Sequence, residues 1–248
     1  MHVLVTRPQP EAETTALLLR EMGLRATVAP MLRIVPIPPA REEPRVDDVQ
    51  AIVLTSANAA RALVQRTLGI HLMERGRPLF AVGEATAQAA RDAGFGQVEA
   101  AGGDVDALVA ALSGRLAPGR GVVLYPCGEH TAGDLVAALA RLDLECRPVV
   151  VYAAHAETRL PRDVEHGLRD CRFDAVLFYS PRTAGIFADL VETYGLDRRL
   201  DRAIAICLSA AVAGRAQALR WAGIEIAPRP DQEAMLGAVR RLLLARTE

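Results

Sequence analysis

The chain of 248 residues contains no lysine, so arginine alone supplies its positive charge. Its formal net charge of −1 provides no strong field to attract nucleic acid or a membrane surface. The four cysteines, Cys127, Cys146, Cys171 and Cys207, have no C-x-x-C spacing, which argues against a zinc site and a disulfide framework. Because no apolar run approaches about 20 residues, we expect no membrane span.

Several catalytic signatures are also missing. The sequence has no G-x-G-x-x-G after a predicted strand, no G-x-x-x-x-G-K-[ST] phosphate loop and no G-x-S-x-G nucleophile elbow. The five histidines, which lack ligand spacing, are His2, His71, His130, His155 and His166. We therefore expect chemistry without a metal, a nucleotide or a covalent nucleophile. Met1 and His2 lead directly into a strand, so we expect no signal peptide and a cytoplasmic location.

The sequence does contain an internal repeat of α/β character. An apolar run ends at Thr55 and Ser56 and leads into a helical segment, and the same pattern recurs 124 residues later around Ser180. Such matches in the same order indicate a duplicated half. The paired segments are Ala51–Leu63 with Ala175–Phe187, Leu79–Ala90 with Ala203–Gly214, Val3–Gly23 with Val122–Leu144, and Gln97–Leu112 with Ile224–Val239.

Strands that are apolar on both faces alternate with helices along the chain, which predicts parallel sheets covered by helices. We count ten strands, which suit two small doubly wound domains. Linkers at Pro36–Asp48 and Ala154–Arg172 each follow an equivalent extended segment, so the chain is expected to cross between domains twice. The predicted first domain therefore comprises residues 1–35 and 154–248, and the second comprises residues 36–153.

Open parallel sheets bind ligands beyond the carboxyl ends of their strands. Hydroxyl-bearing and small residues occupy those positions here, often at helix N-termini, where free N–H groups favour anions. Each serine or threonine has the alternative role of a plain helix cap, and each arginine is equally well explained as a surface charge. The candidates are Thr6, Arg7, Thr55, Ser56, Gly83, Thr86, Cys127, Gly128, Ser180, Arg182 and Ser209.

Tyr152 ends the apolar strand Val149–Val151 at the second predicted crossing. A tyrosine in this position is usually a core or edge residue with its hydroxyl in water. At a crossing between two ligand-binding domains, its hydroxyl could instead reach a cleft and donate a proton.

Six motifs, in order along the chain, make the sequence resemble the uroporphyrinogen-III synthase family. The match covers nearly the whole chain, and the ordered set is more specific than any single motif. The resemblance implies two flavodoxin-like domains joined by a two-stranded connection. The motifs are TRP at Thr6–Pro8, LTSANA at Leu54–Ala59, AVGEATA at Ala81–Ala87, YPCGE at Tyr125–Glu129, VVVY at Val149–Tyr152 and FYSPRTA at Phe178–Ala184.

The resemblance implies that the protein closes hydroxymethylbilane, a linear tetrapyrrole with eight carboxylates, to uroporphyrinogen III without a cofactor. Loss of water from the ring A hydroxymethyl group leaves an electrophilic azafulvene, which the substituted carbon of ring D attacks. The resulting spiro intermediate fragments and recloses with ring D inverted. Because the free bilane closes to the type I isomer, the protein must chiefly hold the chain folded for the unfavoured closure.

The same resemblance makes Tyr152 the expected acid for loss of the hydroxyl group. It makes Ser56, Thr86 and Ser180 expected ligands of carboxylates or positioning groups for the rings. The last repeat departs from the family, which commonly has a Gly-x-Thr-Thr-Ala-like turn. The turn here is Cys207-Leu208-Ser209-Ala210-Ala211, so Ser209 keeps one hydroxyl and the next is lost.

Two hypotheses from other classes remain at this point. Two hinged α/β domains also describe a non-catalytic protein that closes around a small molecule, and two facing α/β domains describe a nucleotide-sugar transferase. The absent signal peptide argues against a periplasmic binding protein, and the missing glycine-rich phosphate loop argues against the transferase. We expect a monomer that binds neither nucleic acid nor membrane. A transient contact with the enzyme that supplies the bilane is left open.

Overall fold

The computed structural model describes residues 1–40, 43–130 and 135–245; residues 41–42 of a predicted linker and 131–134 of a repeat segment lie outside the described residues. The strands are β1 (His2–Val5), β2 (Arg25–Val28), β3 (Leu32–Pro36), β4 (Val49–Leu54), β5 (Leu79–Ala81), β6 (Val98–Ala100), β7 (Val122–Gly128), β8 (Cys146–Ala156), β9 (Ala175–Phe178), β10 (Ile204–Cys207) and β11 (Gly223–Ile226). The α-helices are α1 (Glu11–Glu21), α2 (Ala57–Leu63), α3 (Thr67–Glu74), α4 (Glu84–Asp92), α5 (Val105–Leu112), α6 (Leu135–Ala140), α7 (Arg162–Arg169), α8 (Pro181–Thr193), α9 (Ala210–Ala216) and α10 (Gln232–Ala245).

The chain divides into two compact units. The first unit contains Met1–Arg33 and His155–Glu248, and the second contains Ile34–Ala154. Strands β3 and β8 carry the chain from one unit into the other, since each strand spans a unit boundary. The unit boundaries lie within two residues of the domain boundaries expected from the linkers.

The sheet of the first unit has five strands in the order β2-β1-β9-β10-β11. Its neighbouring strands pair in parallel. Numbered along the chain of this unit, the order is 2-1-3-4-5, which is the flavodoxin-like arrangement. The carboxyl ends of β1, β9 and β10 therefore lie side by side along one edge.

The sheet of the second unit has six strands in the order β3-β8-β7-β4-β5-β6. The five strands from β8 to β6 pair in parallel, and β3 lies at the edge beside β8. The five parallel strands are numbered along the chain from β4 as strand 1 to β8 as strand 5. Read from β6 to β8, their order in the sheet is 3-2-1-4-5. Both units are thus parallel α/β sheets, and the predicted fold class is confirmed.

Equivalent repeat segments occupy equivalent places in the two sheets. Strands β4, β5 and β6 of the second sheet correspond by sequence to β9, β10 and β11 of the first, and β7 corresponds to β1. The order β6-β5-β4-β7-β8 therefore matches the order β11-β10-β9-β1-β2, position by position. The second unit has the strand arrangement of the first, but its chain enters at a different strand.

Helices bury both faces of each sheet, as expected for parallel strands. In β9, Val176 and Phe178 face one apolar cluster, whereas Ala175 and Leu177 face another. All four side chains are fully buried, so the strand is apolar throughout instead of alternating. No helix in residues 1–40, 43–130 or 135–245 is long and apolar enough to cross a bilayer.

Two expectations about elements were wrong. The described residues contain eleven strands instead of ten, because part of the extended segment after β2 joins the second sheet as β3. The single helical segment expected after Thr55 and Ser56 is two helices, α2 and α3, because the chain leaves helical geometry at Arg66, which has φ −105° and ψ 148°.

Candidate active site

An open pocket of about 490 Å³ lies in the second unit at the carboxyl ends of its strands. We call it the Tyr152 pocket. Five of the residues expected from the sequence line it: Thr55, Ser56, Cys127, Gly128 and Tyr152. They meet because β4, β7 and β8 are neighbours in a parallel sheet, so that their carboxyl ends share one edge.

Ser56 both caps a helix and contacts Tyr152. Its Oγ accepts a hydrogen bond from the backbone N–H of Asn58 at 3.2 Å, as the N-cap residue of α2. The Tyr152 hydroxyl donates to the same Oγ at 3.3 Å. The capping role expected of a serine after a strand is therefore present, and it fixes the oxygen that receives the tyrosine hydroxyl.

A β-bulge in β8 sets the direction of Tyr152. Across β7 and β8, Cys127 pairs with Val150, but the next residue, Gly128, pairs with Tyr152. Val151 is the extra residue. A bulge bends its strand and turns the side chains that follow it, and here the side chain that follows belongs to Tyr152.

Gly128 leaves the space that the Tyr152 ring occupies. A Cβ atom at this position would lie 2.8 Å from Cζ and 3.0 Å from the hydroxyl oxygen of Tyr152. Any larger residue would therefore displace the tyrosine. This glycine is required by the close approach of a side chain and not by its own backbone angles.

A second hydroxyl pair lies beside the first. The hydroxyl groups of Thr55 and Tyr125 are 3.1 Å apart, and Tyr125 also lines the Tyr152 pocket. Burial raises the pKa of Tyr125 above its ordinary value, and the hydrogen bond with Thr55 opposes that shift. Tyr125 therefore stays protonated at neutral pH and can donate or accept a hydrogen bond.

Cys127 presents a thiol to the pocket. Its Sγ donates a weak hydrogen bond to the Val149 carbonyl at 3.7 Å. Burial raises the pKa of this thiol, so it stays protonated at neutral pH. A thiol is a poor nucleophile in that state.

Six further lining residues were not among the site residues expected from the sequence. One sequence signal for these residues was present: the glycine pair Gly102 and Gly103 precedes Asp104. In the structure these glycines have φ of 101° and 118°, which favours glycine. Asp104 caps α5 by accepting a hydrogen bond from the N–H of Ala107 at 2.7 Å. The six are Val82, Gly103, Asp104, Val105, Tyr125 and His130.

Two expected residues after β5 do not line the Tyr152 pocket. Gly83 has extended backbone at the N-cap of α4, and a Cβ added to it would lie 3.6 Å from the Gly103 Cα, an ordinary contact. Thr86 is only 7% exposed, and its N–H donates to the Gly83 carbonyl at 3.1 Å. The side chain of Thr86 is therefore buried.

In the first unit, the expected residues follow three adjacent strands. Thr6 is fully buried, and its hydroxyl donates to the Leu177 carbonyl at 2.6 Å. Ser180 caps α8, with its Oγ 3.1 Å from the N–H of Thr183, and Pro181 is the first helical residue. Ser209 occupies the matching place before α9, but its side chain makes no capping hydrogen bond within the described residues.

Arg7 is the most constrained charge at this edge. Its guanidinium lies over the Tyr179 ring, 4.1 Å from the centroid. Its Nη1 donates to Gln232 Oε1 at 2.8 Å and to Thr15 Oγ1 at 3.4 Å. Arg182, the second residue of α8, is exposed. Stacking and hydrogen bonding thus orient one of the two expected arginines before any ligand arrives.

The surroundings of Arg7 are rich in donors. Among the described residues, the buried hydroxyl of Tyr179 and the buried amide nitrogen of Gln232 have no hydrogen-bond partner. Burial raises the pKa of Tyr179, and the charge of Arg7 opposes that shift. A protonated phenol, an amide N–H and a guanidinium together favour an acceptor such as a carboxylate. No group of three or more His, Cys, Asp or Glu side chains in the described part of the chain could hold a metal ion.

Comparison with known proteins gives a family and a fold. The family model described as Uroporphyrinogen-III synthase HemD matches residues 13–237. The uroporphyrinogen-III synthetase structure from Helicobacter pylori is similar, with a TM-score of 0.65 and 18% identity over 97% of this chain and 99% of that one. A mutant uroporphyrinogen III synthase from the extremely thermophilic bacterium Thermus thermophilus gives a TM-score of 0.57 and 18% identity over 99% of both chains. At this identity the two structures support the fold alone. No curated protein sequence matches the chain.

Proposed function

Because the chain belongs to the uroporphyrinogen-III synthase family, we propose that its second unit binds and converts hydroxymethylbilane at the Tyr152 pocket. The enzyme is a lyase of tetrapyrrole biosynthesis, and its substrate is a small tetrapyrrole. The observation that carries the assignment of the site is the Tyr152 hydroxyl, which a bulge, a glycine and Ser56 hold at an open pocket.

Tyr152 acts as the general acid in the first step. Its hydroxyl proton passes to the ring A hydroxyl as the C–O bond breaks, so that water leaves and the pyrrole nitrogen supplies the electrons that form the azafulvene. Ring D then attacks, and the proton lost when the macrocycle regains its aromatic rings returns to the tyrosinate. Ser56 accepts the hydrogen bond of Tyr152 in the resting state and orients the phenol.

The other candidate residues hold the substrate. Thr55, Ser56, Cys127 and Gly128 line the Tyr152 pocket and contact the bilane there. In the first unit, Arg7, Ser180, Arg182 and Ser209 bind carboxylates from helix N-termini and turns. Thr6 and Thr86 are buried, and Gly83 caps α4, so these three support the turns instead of touching the rings. The enzyme's main contribution is the folded conformation of the bilane, which the hydrogen-bonded acid assists.

We propose that the chain has the two domains expected from the linkers, 1–35 with 154–248 and 36–153, and the division into two compact units supports this. We also propose that the enzyme is a cytoplasmic monomer and that it receives the bilane by transient contact with the enzyme that makes it. Support for the monomer comes from the large apolar side chains that are exposed in the described residues. They are scattered over six elements: Leu17, Ile70, Val136, Val150, Ile226 and Leu244.

An isomer assay tests the activity directly. Hydroxymethylbilane is generated, the protein is added, the products are oxidised, and type I uroporphyrin is separated from type III. We expect predominantly type III product. Type I alone from a folded sample would contradict the activity and favour a protein that binds a small molecule without changing it.

A further inference from the structure

Arg66 is a buried arginine that the proposed chemistry does not use. It stands between α2 and α3 with 4% of its surface exposed. Its Nη1 forms an ion pair with Glu43 at 2.5 Å. Its Nη2 donates to the Ile37 carbonyl at 2.5 Å and to the Val150 carbonyl at 2.7 Å. A guanidinium is costly to bury unless its hydrogen-bond donors are well satisfied. The bonds of Nη1 and Nη2 accommodate much of the charge, whereas the buried Nε has no hydrogen-bond partner among the described residues.

One of the carbonyl groups that Arg66 binds, that of Val150, belongs to the bulge that directs Tyr152. Val150 is the last residue in register before the bulge, and Val151 is the extra residue. The Val151 carbonyl accepts a hydrogen bond from the N–H of Ile37 at 3.0 Å. Both bulge carbonyls are therefore held, one by Arg66 and one by a residue that Arg66 itself contacts.

We propose that Arg66 is a positioning residue for Tyr152. Its Nη2 holds the Val150 and Ile37 carbonyls together while Nη1 binds Glu43, which keeps the bulge in the shape that delivers the Tyr152 hydroxyl to Ser56. This proposal rests on the role proposed above for Tyr152. A lysine would keep the positive charge, but its single nitrogen could not bind Glu43 and the two carbonyls as the two nitrogens of a rigid planar fork do.

The test compares Arg66→Lys with wild type in the isomer assay, in two backgrounds. In the native background we expect kcat to fall on the order of tenfold, because a small displacement of a catalytic group has effects of this size. We expect KM to change by less than about threefold, because the substrate-binding groups are untouched. In the Tyr152→Phe background, we expect the same substitution to change kcat by less than about twofold, since the two residues act as a unit.

Arg77→Lys is the matched control. Arg77 is a half-buried arginine of the same unit, and its Nη2 donates to the carbonyl of Val46, a linker residue, at 3.4 Å. The bonds described for it do not reach β8. We expect its kcat to be unchanged in both backgrounds. A general loosening of the linker would instead lower kcat in both arginine variants.

Ile37→Pro is an independent probe of the same bulge. It removes the N–H that binds the Val151 carbonyl and leaves Arg66 in place. We expect a fall in kcat in the same direction, which again disappears in the Tyr152→Phe background. This variant keeps the proposal testable if Arg66→Lys does not fold.

Different failures separate the two proposals. No type III product from wild type would overturn the activity. Full activity of Tyr152→Phe would overturn the role of the tyrosine. The role of Arg66 is wrong if Tyr152→Phe is slow but the folded Arg66→Lys and Ile37→Pro variants keep the wild-type kcat. It is also wrong if these two variants lower kcat by the same factor in the Tyr152→Phe background as in the native background.

Discussion

Gly128 pairs with Tyr152 across β7 and β8, one residue out of step with the preceding pair, and the tyrosine ring lies against its Cα. The atoms that a Cβ would meet are the far end of the tyrosine ring. The tyrosine can therefore swing away from an added methyl group at a small cost in stability, but its hydroxyl then leaves Ser56.

From this relationship we expect Gly128→Ala to separate activity from stability. Activity should fall on the order of tenfold or more, whereas the free energy of unfolding should change by less than about 1 kcal/mol. Type III formation and urea denaturation measure the two quantities. Gly96→Ala is the control, since nothing lies within 4 Å of its added Cβ. Full activity in Gly128→Ala would contradict the close-packing argument.

Tyr152→Phe should slow turnover without abolishing it. The loss should be no more than about 100-fold, the low end for a general acid, because folding of the bilane supplies the rest of the rate. Steady-state kinetics with separation of isomers measures this effect. The control variant, Tyr194→Phe in the first unit, should keep the wild-type rate of turnover. An unchanged rate of turnover in Tyr152→Phe would show that Tyr152 has no part in the mechanism.

Ser56→Ala and Ser56→Gly should lose the same amount of activity but different amounts of stability. Both remove the oxygen that receives the Tyr152 hydroxyl. Alanine is a poor N-cap and should cost about 1 kcal/mol, whereas glycine costs only a few tenths. Thermal unfolding and turnover are measured on the same samples. If activity instead follows stability across the pair, Ser56 serves only as a cap.

Arg7→Gln should raise KM for the bilane with little change in kcat. The substitution removes a charge that binds a carboxylate equally in the ground state and the transition state. An increase of about tenfold corresponds to the loss of one charge-assisted hydrogen bond. Raising the salt concentration should weaken substrate binding to wild type more than to the variant. An unchanged KM would place Arg7 outside the substrate site.

Stability should fall at high pH, in part through Cys207. Burial raises the pKa of this thiol from 9.0 to about 12. The unfolded chain therefore loses its proton first, so the stabilisation is complete below about pH 9 and is lost as the pH rises towards 12. Urea denaturation from about pH 7 to about pH 11 should show a smaller decline for Cys207→Ala than for wild type. Parallel curves would contradict this shift.

The site residues that could be predicted are those whose position follows from a local sequence pattern. Thr55 and Ser56 end an apolar run before a helix, and parallel strands bring such ends together without further information. Tyr152 was found because it follows an apolar run at an expected crossing, although the strand does not end there and β8 continues to Ala156. The duplicated pattern likewise predicted two similar α/β sheets, since it repeats the order of strands and turns.

Features that depend on pairing between distant strands could not be predicted. The bulge at Val151 exists only in the register between β7 and β8, and no local signal marks it. Tyr125 resembles any apolar strand residue until Thr55 lies opposite its hydroxyl. Arg66 interrupts a good helical sequence. Its partners, Ile37 and Val150, are 29 and 84 residues away along the chain, so no local signal predicts the interruption.

The matching order of the two sheets has a consequence for the ancestry of the chain. Residues 1–100 contain β1, β2, β4, β5 and β6, which supply one member of every equivalent strand position, and residues 122–226 supply the other. The strands of the two halves are exchanged between the sheets, because β1 pairs with β9 of the later half while β7 pairs with β4 of the earlier half. This exchange is what a duplication of one five-stranded domain would leave, and the earlier half alone would supply the order β6-β5-β4-β1-β2.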